Sequence, residues 1–330
     1  MKAIIPVAGI GTRLRPHTHT APKVLLPVAG KPILGHILDE LLGFGLTEVT
    51  FIVGYRGEMI REYIKDNFSF KANYVEQPEM LGLGHAIWLA KSLYAGESDP
   101  LLIVLGDTVF NADLHPVLAG DCSAIGVKEV DDPTRFGIVE LEDGKIKRMV
   151  EKPKNPPSNL AVVGIYFLKD PNPLFECLDE LIANDQRTAG EYQVTDAFQM
   201  MIDRGHALKP FFIDGWFDCG KPETLLETNE ALLQLKHADD SYRRVYPGSI
   251  INPPVSIADS AEVENSIIGP NVTIAEHSVI KDSLIANSIV SKNSSVSSMV
   301  LDSSIISENA KISGHSLSLN VGDSSEITFK

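Results

Sequence analysis

Cysteine is scarce in this chain. Cys122, Cys177 and Cys219 are odd in number and far apart, with no Cys-x-x-Cys spacing, so neither a disulfide framework nor a zinc site is indicated. They read as buried thiols. Long hydrophobic runs are missing too: no stretch of about 18 or more apolar residues occurs, and nothing reads as a membrane span. The opening MKAIIPVAGIGTR has the pattern of a strand and a loop, without the charged segment, apolar segment and cleavage site of a secretory leader; a cytoplasmic location is expected. Positive charge is in deficit. With 29 Lys and Arg against 44 Asp and Glu, the formal net charge is −15, which argues against a nucleic-acid partner, because phosphate backbones are held mainly by Lys and Arg. A small phosphorylated ligand needs only a local cluster of cations and stays open.

The chain has 330 residues, 44% of them hydrophobic and 22% charged, an ordinary globular composition long enough for two cores. Up to about residue 110, short apolar runs alternate with helix-period segments. The runs are Ala3–Ile5, Val49–Val53, Asn73–Val75 and Leu101–Leu105; the helices cover Pro32–Phe44, Glu58–Asn67 and Gly84–Tyr94. Strands apolar throughout are buried on both faces, so the pattern predicts an α/β fold with a mostly parallel, Rossmann-like sheet covered by helices. Ligands of such sheets sit beyond the carboxyl ends of the strands. A hairpin is expected around Asp143-Gly144, between Phe136–Leu141 and Ile146–Val150. A strand at Ala161–Leu168, helices at Pro173–Ala183 and Tyr192–Arg204, a strand at Lys209–Ile213 and a turn at Gly215–Gly220 leading into a long helix complete a first domain, residues 1–240, closing near His237.

The texture changes after Pro247. Ile257, Val263, Ile268, Ile274, Ile280, Ile285, Val290, Val296, Leu301, Ile306 and Ile312 recur at intervals of five or six among Ser, Asn, Asp, Glu and Gly. A disordered serine-rich tail would have no reason to keep this interval. Short repeats of this kind predict a β-helix over residues 241–330, each aliphatic residue stacking on another one coil away.

The chemistry concentrates early. A Gly-x-Gly-Thr-Arg loop directly after the first strand lets backbone amides face a phosphate. It is neither the dinucleotide fingerprint, which needs a third glycine, nor a Walker A sequence, which needs Gly-Lys-Ser/Thr. Arg13 adds forked donors suited to phosphate oxygens, and Lys23, in the same connection, adds a point charge. His17 and His19 are spaced like a metal pair but read as solvated loop residues, with no carboxylate or cysteine beside them in the sequence.

Gly9-x-Gly11-Thr12-Arg13-Leu14-x-Pro16-x-Thr18 and Pro22-Lys23-x-Leu25-Leu26-Pro27 resemble the signature of sugar-1-phosphate nucleotidyltransferases. The match continues through Leu105-Gly106-Asp107, Glu151-Lys152-Pro153, Pro157–Ala161, Gly190-Glu191-x-Gln193-x-Thr195-Asp196 and Gly215-Trp216-x-Asp218-x-Gly220. The subgroup it most resembles is the long form of glucose-1-phosphate thymidylyltransferase, whose second domain is a left-handed parallel β-helix. The resemblance implies attack of a sugar-1-phosphate oxygen on the α-phosphorus of a nucleoside triphosphate, with Mg²⁺. It assigns catalysis to Arg13, Lys23 and Asp107, and the metal to Asp107 and Asp218. Ala8, Gly9, Gly11, Thr12 and Arg13 would meet the nucleotide, with Gln77 and Gly82 at its base; Gly137, Glu151, Lys152 and Asn159 would hold the sugar phosphate. The Gln77 amide, with one donor and one acceptor, can match the O4 and N3–H edge of thymine or uracil. His85 reads as a packing or capping residue, Trp216 as packing, and Glu191 and Asp196 as residues that orient or cap a helix.

Departures from the thymidylyltransferase pattern leave alternatives. Ala8 stands where many members have glycine, Thr108 follows Asp107 in place of Asn, and Ala189 replaces an arginine, with Arg187 nearby but out of register. Pro6–Gly9 and Leu83–Ala86 resemble bacterial glucose-1-phosphate uridylyltransferase, so either dTTP or UTP fits the sequence. A regulatory subunit that binds nucleotide sugars without making them is the reading from another class, disfavoured by the joint presence of Arg13, Lys23, Asp107, Lys152 and Asp218. A homo-oligomer is expected, because stacked coils leave apolar flanks that need cover. His277 and His315 stand in no recognisable catalytic setting.

Overall fold

The computed structural model describes residues 1–94, 96, 99–235 and 240–314; His237 and His315 lie outside the described residues. Two compact units result, one of Met1–Leu26 with Lys31–Thr228, the other of Pro27–Gly30 with the chain from Asn229 onward. The division thus falls inside the long helix rather than near residue 240. Asn229, 1% exposed, explains this: its side chain accepts from Ala29 N–H and Thr273 Oγ1 and donates to Asn271 O, all in the second unit.

Up to residue 235 the strands are β1 (Lys2–Pro6), β2 (Pro27–Val28), β3 (Lys31–Pro32), β4 (Glu48–Val53), β5 (Lys71–Glu76), β6 (Leu101–Val104), β7 (Thr108–Asn111), β8 (Ser123–Glu129), β9 (Gly137–Glu142), β10 (Lys145–Glu151), β11 (Leu160–Leu168), β12 (Leu208–Phe212) and β13 (Gly215–Asp218). The helices are α1 (Ile33–Gly43), α2 (Gly57–Asn67), α3 (Leu83–Leu89), α4 (His115–Leu118), α5 (Asn172–Ala183), α6 (Val194–Asp203) and α7 (Pro222–Leu235). The main sheet runs β10-β9-β11-β6-β1-β4-β5, with β8 joined to β11 and β12 to β8. Strands β6, β1, β4 and β5 are parallel; the apolar sequences of β1, β4 and β6 are buried on both faces, whereas β5, at the sheet edge, is only half-buried along its middle. The other half departs from the parallel expectation. Strand β11 runs antiparallel to β6, β8 and β9, and β9–β10 form the expected hairpin, whose turn places Asp143 at φ 51° and Gly144 at φ 74°, the pair of positive angles a two-residue turn requires. In α1, Ile33, Leu34, Ile37, Leu38 and Leu41 are fully buried, the spacing of one helix face.

Two differences bear on function. The segment Gly215–Asp218, read as a turn, is a strand paired antiparallel with β7. The stretch Thr12–Leu25, read as a loop, contains three 3₁₀ turns, Thr12–Leu14, His17–His19 and Lys23–Leu25. No helix among the described residues is long and apolar enough to cross a membrane.

The second unit contains three four-stranded parallel sheets, consistent with the left-handed β-helix. Val263, Ile280, Val296 and Ile312 stack in register on one, Ile268, Ile285 and Leu301 on another, and Ile257, Ile274, Val290 and Ile306 on the third. Turns between strands place Asn265, Asn271, His277, Asp282, Asn287, Asn293 and Asn309 at positive φ, where Asn and Asp are tolerated best. His277 is therefore a corner residue. The serines also have a use: Ser266 Oγ accepts from Ser283 N–H, and Ser283 Oγ from Met299 N–H, a ladder that satisfies turn amides.

Candidate active site

Strands β1 and β6 end side by side, and Gly106 N–H donates to Pro6 O at 3.2 Å. The glycine loop and Gly106-Asp107 therefore leave the sheet at one rim, as the topology rule requires. Gly11 has φ 69°, and a Cβ there would come within 2.9 Å of Lys23 Cβ and 3.0 Å of Thr18 Cγ2. Glycine is required twice over, by conformation and by the approach of Lys23. Thr18, 1% exposed, fixes the loop by donating from Oγ1 to Gly11 O at 2.9 Å. Ala8 is buried beneath the loop, Thr12 opens the first 3₁₀ turn, and a Cβ at Gly9 would meet no atom within 4 Å. Packing does not demand glycine there.

Lys23 Nζ donates to Asp107 Oδ2 at 2.6 Å, with 10% and 37% of the side chains exposed. Asp107 immediately precedes β7, and Asp218 ends β13 opposite Thr108, with Cys219 N–H donating to Asp107 O. Strand pairing thus sets the two carboxylates beside each other across a sequence gap that no local pattern reveals. Burial pushes the Asp107 carboxyl up, but the Lys23 charge and hydrogen bond, with Arg13 behind them, outweigh it and hold Asp107 below the usual carboxylate range. Asp218 goes the other way: burial and then the negative charge of Asp107 raise it, against Lys23, Arg13 and Arg135. Gly220 is the gap between Asp218 and Arg13, since a Cβ there would lie 2.9 Å from Asp218 Oδ1 and 3.3 Å from Arg13 Nη2. Arg13, Lys23, Asp107 and Asp218 are thus brought together. Cys219 is fully buried and its thiol is pushed up to about 12, chiefly by burial, so it is an inert packing group.

A second cluster forms on the β9–β10 hairpin. Gly137 pairs with Glu151 across the strands, and a Cβ at Gly137 would crowd Glu151 Oε2 at 3.1 Å and Thr195 Oγ1 at 3.2 Å. Thr195, for which the sequence suggested no role, donates to Glu151 Oε2 at 2.8 Å. Asp196 stands near enough to Glu151 that burial, and then that charge, raise its carboxyl. Lys152, at φ 40°, donates its N–H to Phe136 O and pairs through Nζ with Glu151 Oε1 at 3.1 Å. A left-handed lysine is strained backbone, and such strain gathers at functional sites. Asn159 is exposed, its carbonyl accepting from Val130 N–H. Trp216 packs edge-on to Phe136 with ring centroids 5.3 Å apart.

Gln77 caps β5, its N–H donating to Val53 O at 2.8 Å. Its Nε2 donates to Gly82 O at 3.3 Å and faces His85 Nδ1 at 3.4 Å. The donor arm that the sequence offered to a base is thus engaged, and Oε1 is left to meet a ligand. Gly82 needs its φ of 108°, and a Cβ there would strike Tyr192 O at 2.7 Å. Arg187 does not replace the missing phosphate contact; it turns onto Asp185 and Tyr192. Glu191 accepts from Gln193 Nε2. His19 O accepts from Tyr55 Oη and Arg56, a clasp on the loop that spacing gave no hint of.

A family model for nucleotidyl transferases matches residues 2–235. The chain belongs to the nucleotidyl transferase family. Among curated nucleotidyl transferases, the low-salt glycan biosynthesis nucleotidyltransferase Agl11 of Haloferax volcanii is 36% identical over 72% of this chain and 67% of its own length. A glucose-1-phosphate thymidylyltransferase of Streptomyces antibioticus is 34% identical over 71% and 67%. The solved structure of a UDP-glucose pyrophosphorylase complexed with UDP-glucose is similar over 71% of this chain and 98% of its own, at 30% identity and a TM-score of 0.61. The chain spans 54–67% of the length of the first curated relatives it matches.

Proposed function

We propose that this chain transfers a thymidylyl group from dTTP to glucose-1-phosphate, giving dTDP-glucose and pyrophosphate with Mg²⁺. One observation carries the reading: two cations and two carboxylates from separate segments converge on Lys23 and Asp107, beside a glycine loop at the ends of parallel strands. In the reaction an oxygen of the sugar phosphate bonds to the α-phosphorus while the bond to the β-phosphate oxygen breaks, and pyrophosphate leaves with the electron pair. The attacking phosphate is already ionised, so no side-chain base is needed; positioning and charge neutralisation suffice.

Asp107 and Asp218 fit Mg²⁺. They offer hard oxygens, they are close enough for one to raise the other's carboxyl, and Mg²⁺ takes one or two carboxylates with phosphate and water completing its shell. Bound there, the ion supplies neutralisation of phosphate charge. Arg13 and Lys23 hold the β- and γ-phosphates, whose charge grows as the bond breaks. Glu151, oriented by Thr195, accepts from sugar hydroxyls; Lys152 binds the sugar phosphate, with Gly137 leaving the room and Asn159 at the edge. Gln77 Oε1 accepts from the base N3–H.

UTP is the second reading. Thymine and uracil differ by one methyl, which an apolar pocket discriminates by only ~1–3 kcal/mol, and both have the N3–H that Gln77 would meet. Pyrophosphate release with glucose-1-phosphate, Mg²⁺ and each triphosphate in turn tests the class and the base together; silence with every pair would sink the transferase reading in favour of a binding subunit. A homo-oligomer is supported by the uncharged outward row Ile250, Ile267, Leu284 and Val300, 58%, 39%, 39% and 76% exposed on successive strands of one β-helix sheet. A monomer by light scattering at micromolar concentration would count against it.

A further inference from the structure

His85 is among the buried titratable groups that the mechanism leaves unused. His85 is 9% exposed on α3, stacked on Trp88 at 5.9 Å and tilted against Tyr192 at 6.4 Å. Trp88 is itself held by its Nε1–H donating to Asp179 Oδ1 at 2.9 Å. The ring therefore cannot turn freely, and its Nδ1 faces Gln77 Nε2 at 3.4 Å.

Gly82 O, the other atom facing Gln77 Nε2, can only accept. It is equally fixed: Leu81 O accepts from Tyr192 N–H, and Gly84 N–H donates to Tyr192 O, both at 2.8 Å, so the turn before α3 is stapled at both ends. An amide presented with two acceptors must turn its NH₂ toward them. Rotating it by half a turn would set Oε1 against Gly82 O and Nδ1, with two hydrogen bonds lost and lone pairs opposed.

We propose that His85 is a positioning residue for base selection: with Gly82 O it locks the Gln77 amide so that Oε1 alone faces the nucleobase, and the site admits bases that present N3–H and rejects cytosine, which presents a lone pair there. The inference rests on Gln77 meeting the base. Burial, the largest influence on His85, holds its imidazole below the usual range, with Glu79 and Arg187 acting in opposite directions. A neutral ring has one bare nitrogen, and Nδ1 can serve as the acceptor.

His85→Phe keeps the ring and its stacking and removes the acceptor; His85→Leu serves if the Phe variant does not fold. His85→Asn puts an oxygen back near the Nδ1 position. The measurement is kcat/KM for pyrophosphate release with UTP, dTTP and CTP, with melting temperatures taken alongside. The wild type should prefer UTP and dTTP over CTP. In the Phe or Leu variant only Gly82 O still holds the amide, and that preference should fall by about tenfold, the worth of one unmade buried hydrogen bond, while His85→Asn restores most of it. A purely structural role would lower all three rates together and leave the ratio alone. A folded His85→Phe or His85→Leu enzyme that keeps the wild-type ratio overturns this inference while leaving the transferase reading intact. A wild type active with none of the three overturns both.

Discussion

Replacing Lys23 with methionine keeps the length of the side chain and removes its charge. The 2.6 Å pair with Asp107 is then broken with the lysine side buried and the carboxylate 37% exposed. Removing one partner of a fully buried pair costs ~3–5 kcal/mol, whereas exposed pairs contribute ~0–1 kcal/mol; the partial exposure of Asp107 places the loss at about 2 kcal/mol. For a chain of 330 residues that lowers the melting temperature by about 3 °C. The sign with pH follows from the depressed Asp107 carboxyl. Its stabilising contribution is fully present above the ordinary value of 3.8 and is lost as pH falls below it, so the two melting curves separate at pH 7 and converge in acid. Mg²⁺ alone should recover part of the loss, because two carboxylates without their lysine form a better cation site. Turnover should fall by ~10²–10³ if Lys23 donates to charge that grows in the transition state. Thermal melts with and without Mg²⁺, paired with pyrophosphate release, check all of this. A Lys23→Met enzyme with wild-type melting and turnover would refute the reasoning.

Asp218→Asn should behave oppositely without metal: its raised carboxyl destabilises the folded state at pH 7, so the variant melts higher there, the gap closing as pH falls and Asp218 takes up its proton. The same variant should lose the Mg²⁺-dependent rise in melting temperature that the wild type shows. Arg13→Ala, at an exposed position, should melt like the wild type yet lose ~10²–10³ in kcat; near-normal turnover would contradict its phosphate role. Thr195→Val removes the donor to Glu151 and should lower kcat/KM for the sugar phosphate by about tenfold with KM for the nucleotide unchanged.

What the sequence made legible was local. The apolar strands β1, β4 and β6, the Asp143-Gly144 hairpin and the five-or-six-residue aliphatic interval each carry their pattern within a few residues, and each forms as expected. The β7–β13 pair does not, because Thr108–Asn111 and Gly215–Asp218 are short and acquire strand character only from each other across a long sequence separation. The site divides the same way. Gly11, Arg13 and Lys23 could be read from one loop, but Thr195 reaches Glu151 over 44 positions, and His85 meets Gln77 only because an intervening turn is stapled to Tyr192. Side chains that act by holding others leave no spacing to find.

The most direct measurement is a crystal structure with Mn²⁺ in place of Mg²⁺ and a non-hydrolysable dTTP or UTP analogue. An anomalous peak between the Asp107 and Asp218 carboxylates, with the triphosphate on Arg13, Lys23 and the Gly9–Thr12 amides, is the predicted result. A triphosphate bound elsewhere, with no metal at that carboxylate pair, would contradict it.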